Sequence, residues 1–185
     1  MSIYTLLGEP AIAAPAETTI FAAAGGNGVA GTVTGAVMRQ FANNGLVAVT
    51  ASTLALTAAA HAGRLVTIDR AAGMVITLPV SAGTGDVYEL FIMSTTAGTT
   101  TIKVPAASVA IMKGFAILGQ DSGNATEFYA TAADTDTITL YVSGSTTGGI
   151  AGARVTLRDV ATAVWAVEYF SDAAGSEATP FSATV

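Results

Sequence analysis

From Leu46 onward the chain alternates apolar and polar residues with a period of two, and clusters of Gly, Ser, Thr and Ala break the alternation at short intervals. Successive side chains of an extended strand point to opposite faces, so this period marks strands buried on one side. Leu54 and Leu56 alternate with Thr53, Ala55 and Thr57, and Met74, Ile76 and Leu78 oppose Val75 and Thr77. In "DVYELFIM", Tyr88, Leu90 and Ile92 share one face, against Val87, Glu89, Phe91 and Met93. Ile138, Leu140 and Val142 oppose Thr137, Thr139 and Tyr141; Val155 and Leu157 oppose Arg154, Thr156 and Arg158. Trp165, Val167 and Tyr169 close the series on one side of "AVWAVEYF". Turn clusters lie at Ala71–Gly73, Ser81–Gly85, Thr95–Gly98, Gly119–Asn124 and Gly144–Gly149. The pattern predicts an all-β sandwich or barrel, jelly-roll-like, built from short antiparallel strands.

The stretch "LVTIDRAAGMVITLP", Leu65 to Pro79, reads as two strands around a turn at Arg70–Gly73. Val66, Ile68, Met74, Ile76 and Leu78 are expected in the core, with Thr67 and Thr77 on a neutral outer surface. Thr favours strands and brings a hydroxyl without the desolvation cost of a charge.

Residues 1–45 differ in style and are expected to form an N-terminal arm and linker, with 46–185 as the β-domain. Ile3, Tyr4, Leu6 and Leu7 make one bulky apolar patch, Ile20 and Phe21 another. Pro10 and Pro15 between them disfavour helix and promote extended backbone. The Gly/Ala segment Ala22–Gly31 reads as a flexible hinge. A short helix is expected over 35–44, with Thr34 as N-cap, Val37, Met38 and Phe41 on one face and Gly45 as its stop.

Composition removes several classes of function. Seven basic against 13 acidic residues give a net charge of −6, which repels a phosphate backbone, so nucleic-acid binding is not expected. Mean hydropathy is +0.59, but small Ala and Val carry it, and no run approaches the roughly 20 bulky apolar residues of a membrane span. The first residues lack the basic and apolar regions of a signal peptide, so a soluble, cytosolically made protein is expected. With no cysteine, neither disulfides nor thiolate metal sites form. The sparse charge leaves a neutral surface suited to packing against other protein.

Candidate chemistry is thin. Gly26-Asn-Gly28-Val-Ala-Gly31 matches the dinucleotide fingerprint G-x-G-x-x-G, but no acidic residue follows it before Asp69 and the sequence beyond is β rather than βαβ. His61, the single histidine, has no serine in a nucleophile elbow to serve and reads as a surface or turn residue. Glu89, Glu127 and Glu168 lie on or beside strands, and two of them converging would make a glycosidase-like pair. Asp134-Thr-Asp136 and Asp121-Ser-Gly-Asn124 are incomplete as calcium loops and fit ordinary turn chemistry. Trp165 and Tyr169, with Phe170, fit either a sugar-stacking platform or the core, and the alternation favours the core. Neither cofactor nor metal is expected.

From Thr53 on, "TLALTAAAHAGRLVTIDRAAGMVITLP", "SGSTTGGIAGARVTLRDV", "WAVEYF" and "GSEATPFSATV" resemble small virion proteins of tailed bacteriophages. Within that group the chain is most similar to capsid decoration, or cement, proteins. The resemblance implies a homotrimer that binds the major capsid protein on the outer surface of the assembled head and stabilises it, made in the host cytoplasm and carried on the virion. It also implies that the apolar arm residues Ile3, Tyr4, Leu6, Leu7, Ile20 and Phe21 grip the capsid. A tail, baseplate or fibre component with receptor or carbohydrate binding is the alternative, and a wall-active hydrolase the third.

Overall fold

The computed structural model describes residues 45–107, 109–120, 125–141 and 145–185, and the backbone alone of 21–24 and 30–33. The chain divides into two compact units, Met1–Gly45 and Leu46–Val185. In the first, β1 (Phe21–Ala24) pairs antiparallel with β2 (Ala30–Val33), so part of the expected hinge is strand. The arm residues Ile3, Tyr4, Leu6, Leu7 and Ile20, and the helix expected over 35–44, lie outside the described residues.

The second unit is an all-β sandwich. Its strands are β3 (Leu46–Val49), β4 (Thr53–Ala55), β5 (Leu65–Ile68), β6 (Val75–Thr77), β7 (Val87–Ile92) and β8 (Thr101–Lys103), followed by β9 (Ile111–Gln120) and β10 (Thr126–Ala130). Beyond these come β11 (Thr137–Thr139), β12 (Arg154–Ala161), β13 (Val164–Ala173) and β14 (Phe181–Ser182). One sheet has seven strands in the order β10-β9-β13-β12-β7-β5-β3, the other five in the order β14-β11-β8-β6-β4.

The expected wholly antiparallel, jelly-roll-like arrangement is corrected. β3/β5, β5/β7, β4/β6, β6/β8 and β13/β9 pair in parallel. Parallel neighbours need a crossover, and for the four pairs among β3 to β8 that crossover is a single strand of the opposite sheet, whereas β9 and β13 are joined through β10, β11 and β12. Thus β3–β4, β5–β6 and β7–β8 are three stacked coils. "LVTIDRAAGMVITLP" is accordingly an arch between sheets, since β5 and β6 never pair with one another.

Two ladders of side chains build the core. In the larger sheet the register aligns Val47, Val66, Leu90, Val155, Tyr169 and Ala116; all but Val47 are fully buried. In the smaller sheet it aligns Leu54, Ile76, Ile102, Ile138 and Phe181. Both belong to one continuous hydrophobic cluster, in which Trp165 meets Tyr88 edge-on at 5.6 Å. Each buried Val, Leu or Ile contributes roughly 1.5–3 kcal/mol.

Turns lock the coils in register. The Arg70 Nε–H donates to the Gly73 carbonyl at 2.7 Å, closing the arch, while the amides of Ala97 and Gly98 donate to the Ala71 carbonyl. Gly73 has φ +78°, and a Cβ there would run into the backbone of Gly98 and Thr99, so two successive arches stack only through glycine. The coil before β5 carries α1 (Ala58–His61), whose N-cap Thr57 accepts the Ala60 amide. His61 is buried here rather than on the surface, and its Nδ1 accepts the Thr57 amide at 3.0 Å.

Tyr169 joins the sandwich to the loop before β12. Its hydroxyl accepts the Gly149 amide at 2.8 Å and donates to the Thr147 carbonyl at 3.0 Å. Burial pushes the phenol up to about 12, against the opposing hydrogen bonds of Ser171 and Gly149, so it stays a donor at neutral pH. Tyr169→Phe leaves two buried backbone groups unpaired. Its expected cost is about 1–3 kcal/mol, read as a fall in melting temperature of about 2–4 °C per kcal/mol in thermal unfolding followed by circular dichroism.

Candidate interaction surface

The outward face of the seven-stranded sheet is unusually rich in large apolar groups. Because paired residues of neighbouring strands share a face, the register sets Phe128, Ile117, Phe170, Arg154 and Phe91 in one transverse row. Phe115 stacks on Phe128 at 5.6 Å and meets Phe170 edge-on at 6.1 Å. Phe128 is nonetheless 63% exposed and Phe170 43%. Across the sheet, Leu46 (66% exposed), Leu65 and Met93 (53%) surround a groove of about 540 Å³ floored by Thr67 and Phe91. The Arg154 guanidinium lies over the Phe91 ring, 5.3 Å from its centroid, a cation–π contact.

Charges occupy the middle of this face. On β12, Arg154 and Arg158 lie two residues to either side of Thr156, and Glu89 on β7 and Glu168 on β13 each pair with Thr156. The result is a central patch of mixed sign between two apolar lobes. A neutral outer surface of threonines was the expectation, and two observations correct it. Thr67 is buried beneath its neighbours, and the outward positions of β7, β9, β10 and β13 carry phenylalanine. The strand β9 escaped the sequence reading for the same reason. Ile111, Phe115 and Ile117 point outward and Met112, Ala116 and Leu118 inward, with Lys113 the one charged outward residue, so polar contrast hardly marks the period.

Glu89, Glu127 and Glu168 do not gather into one cluster. Glu89 and Glu168 are two strands apart, roughly 10 Å between backbones at the usual strand spacing. Both are exposed on the open sheet. Glu127 pairs with the buried Leu118 and therefore points to the opposite face. Asp134 is exposed whereas Asp136 turns inward, accepting the Thr137 hydroxyl and the Thr184 amide at 2.9 Å each, which separates that pair. Asp121–Asn124 lie outside the described residues. Among the described residues no three His, Asp or Glu side chains gather as a metal site, and no helix is long and apolar enough to cross a membrane. Trp165 and Tyr169 are core; Phe170 alone of that trio faces out.

The one concentrated carboxylate site among these residues is structural. Asp159, buried at the β-bulge of β12, accepts the amides of Ala82, Gly83 and Thr84 and the Thr84 hydroxyl over 2.7–3.3 Å. Burial by itself raises an acid, but these four donors together outweigh it and hold Asp159 below its ordinary value. The carboxylate thereby fastens loop 81–85 over the end of the sheet. Neighbouring Tyr88 is pushed up to about 12, first by burial and then by Asp86 and Asp159.

No protein-family model, curated protein or solved structure matches the chain. The outward face is thus known from its own geometry: a broad, partly aromatic surface without a catalytic constellation among the described residues.

Since the folded Asp159 binds its proton more weakly than the unfolded chain does, its stabilisation is fully present above about pH 4. It is lost as pH falls through the lower folded value. In urea titrations the wild type should exceed Asp159→Asn at pH 7, with the gap closing as pH falls below about 4. A gap independent of pH would contradict the charge-assisted loop clamp.

Proposed function

We propose that the chain is a non-catalytic virion component, a head decoration protein that binds the outer surface of an assembled bacteriophage capsid and stabilises it. The observation that carries this reading is the outward sheet face, where Phe128, Phe170, Leu46, Leu65 and Met93 stay exposed around a mixed-charge centre. Contiguous apolar surface of this kind marks protein–protein contact, and its aromatic and Arg content is that of interface anchors. The low overall charge supports the same reading, as does the resemblance of the segment from Thr53 onward to small phage virion proteins.

A protein that binds only the assembled lattice adds its binding free energy to the assembled state. Each copy bound to one particle adds its own share of that stabilisation. Charges at the centre of the face would set orientation while the flanking lobes supply burial.

A tail, baseplate or fibre component is the second reading. The stacked coils from β3 to β8 favour it, because repeated coils that touch only their neighbours are how solenoid shafts extend.

Co-sedimentation with assembled capsids of the carrier phage, against unassembled capsid protein, tests the decoration reading. Binding is expected to assembled capsids alone, and Phe128→Ser with Phe170→Ser should weaken it by about 10-fold or more. Undiminished binding of the double variant would remove the face from the contact. Density on the tail rather than the head in electron micrographs would transfer the protein to the second reading.

A further inference from the structure

Among the described residues, no strand pairs beyond the first of the three coils. β3 closes one side of the seven-stranded sheet and β4 closes the same side of the five-stranded sheet, because each belongs to the first coil. The recorded backbone bonds of this coil run inward, from the Asp69 amide to the Val49 carbonyl, from Val75 to Ser52 and from Leu56 to Thr77. Strand edges are normally guarded by charge, proline or shortness. The far side of the sandwich is guarded in this way. There β10 carries Glu127, and β14 has only two residues and follows Pro180. Among the described residues the near side has neither of the first two guards: from Gly45 to Ala60 the sequence contains neither a charged residue nor a proline.

We propose that this uncharged rung is a self-association edge and that its occupant is a second copy of the chain. A two-fold axis perpendicular to both sheets sets β3 antiparallel to the partner's β3 and β4 antiparallel to the partner's β4. Both sheets then run unbroken across the pair, and the edge backbone groups find partners in a single step. Self-pairing also suits the chemistry, because an uncharged strand meets its own copy without like-charge repulsion. A head-to-tail ring built on this edge would press it against the β10/β14 edge, burying Glu127 and meeting a strand of two residues. At this edge the geometry therefore favours a pair over a ring. Strands of four and three residues make a contact below the usual size of a stable interface, so the association is concentration-dependent and in the micromolar class. It does not rest on capsid binding.

Sedimentation equilibrium of the full chain from about 1 to 500 µM tests it. The mass should rise from 18.4 kDa toward twice that value. Ala48 is exposed on β3 close to the proposed axis, so Ala48→Lys and Ala48→Glu should each stay monomeric at concentrations where the wild type pairs. An equal mixture of the two variants should pair again. Hydrogen exchange of the wild type supplies a reading independent of the variants: amides of Leu46–Val49 and Thr53–Ala55 should slow as concentration rises. A monomer throughout, a trimer, unaltered pairing by both charged variants, or exchange insensitive to concentration would each overturn the proposal.

Discussion

The contact between two facing ladders of buried side chains is the constraint on which the sandwich depends. Val66, Leu90, Val155 and Tyr169 run across one sheet; Ile76, Ile102 and Ile138 run across the other. Each rung aligns only if the strands keep register, and a slip of one residue would turn every inward side chain outward. Hydrophobic burial therefore enforces the hydrogen-bond register, rather than the reverse. The parallel coils add a further demand, because each passage between sheets must return the chain one strand further along.

That demand explains where the special residues lie. Gly73 and Gly98 allow two arches to touch, where any side chain would hold them apart. Gly149, at φ +79°, brings its amide to the Tyr169 hydroxyl, and a Cβ there would strike the Leu140 carbonyl. Asp159 performs the matching task at the far end, drawing three successive amides onto one carboxylate. Polar groups that elsewhere indicate catalysis are used here to position loops, and each such group has backbone as its main partner.

With the interior committed to shape, the outward face is where a partner can act. Its two apolar lobes derive from different halves of the topology, β9, β10 and β13 on one side and β3, β5 and β7 on the other, joined through Arg154 on the central strand. A surface spread over seven strands is rigid, so contact with it loses little conformational entropy.

The sequence by itself determined the β-class, the inward residues of most strands and the turn at Arg70–Gly73, because alternation and glycine placement are local properties. Trp165 and Tyr169 were legible as core for the same reason. Strand direction and sheet membership were not, since a period of two is identical in parallel and antiparallel pairs. Nor was the aromatic face, because strands such as β9 carry large apolar residues on both sides and give alternation little to contrast. Glu89, Glu127 and Glu168 look equivalent in sequence; only the register on β7, β10 and β13 sent Glu127 to the opposite face. Tertiary structure decided these points because each depends on which distant strand lies alongside, and that choice is made by the core as a whole.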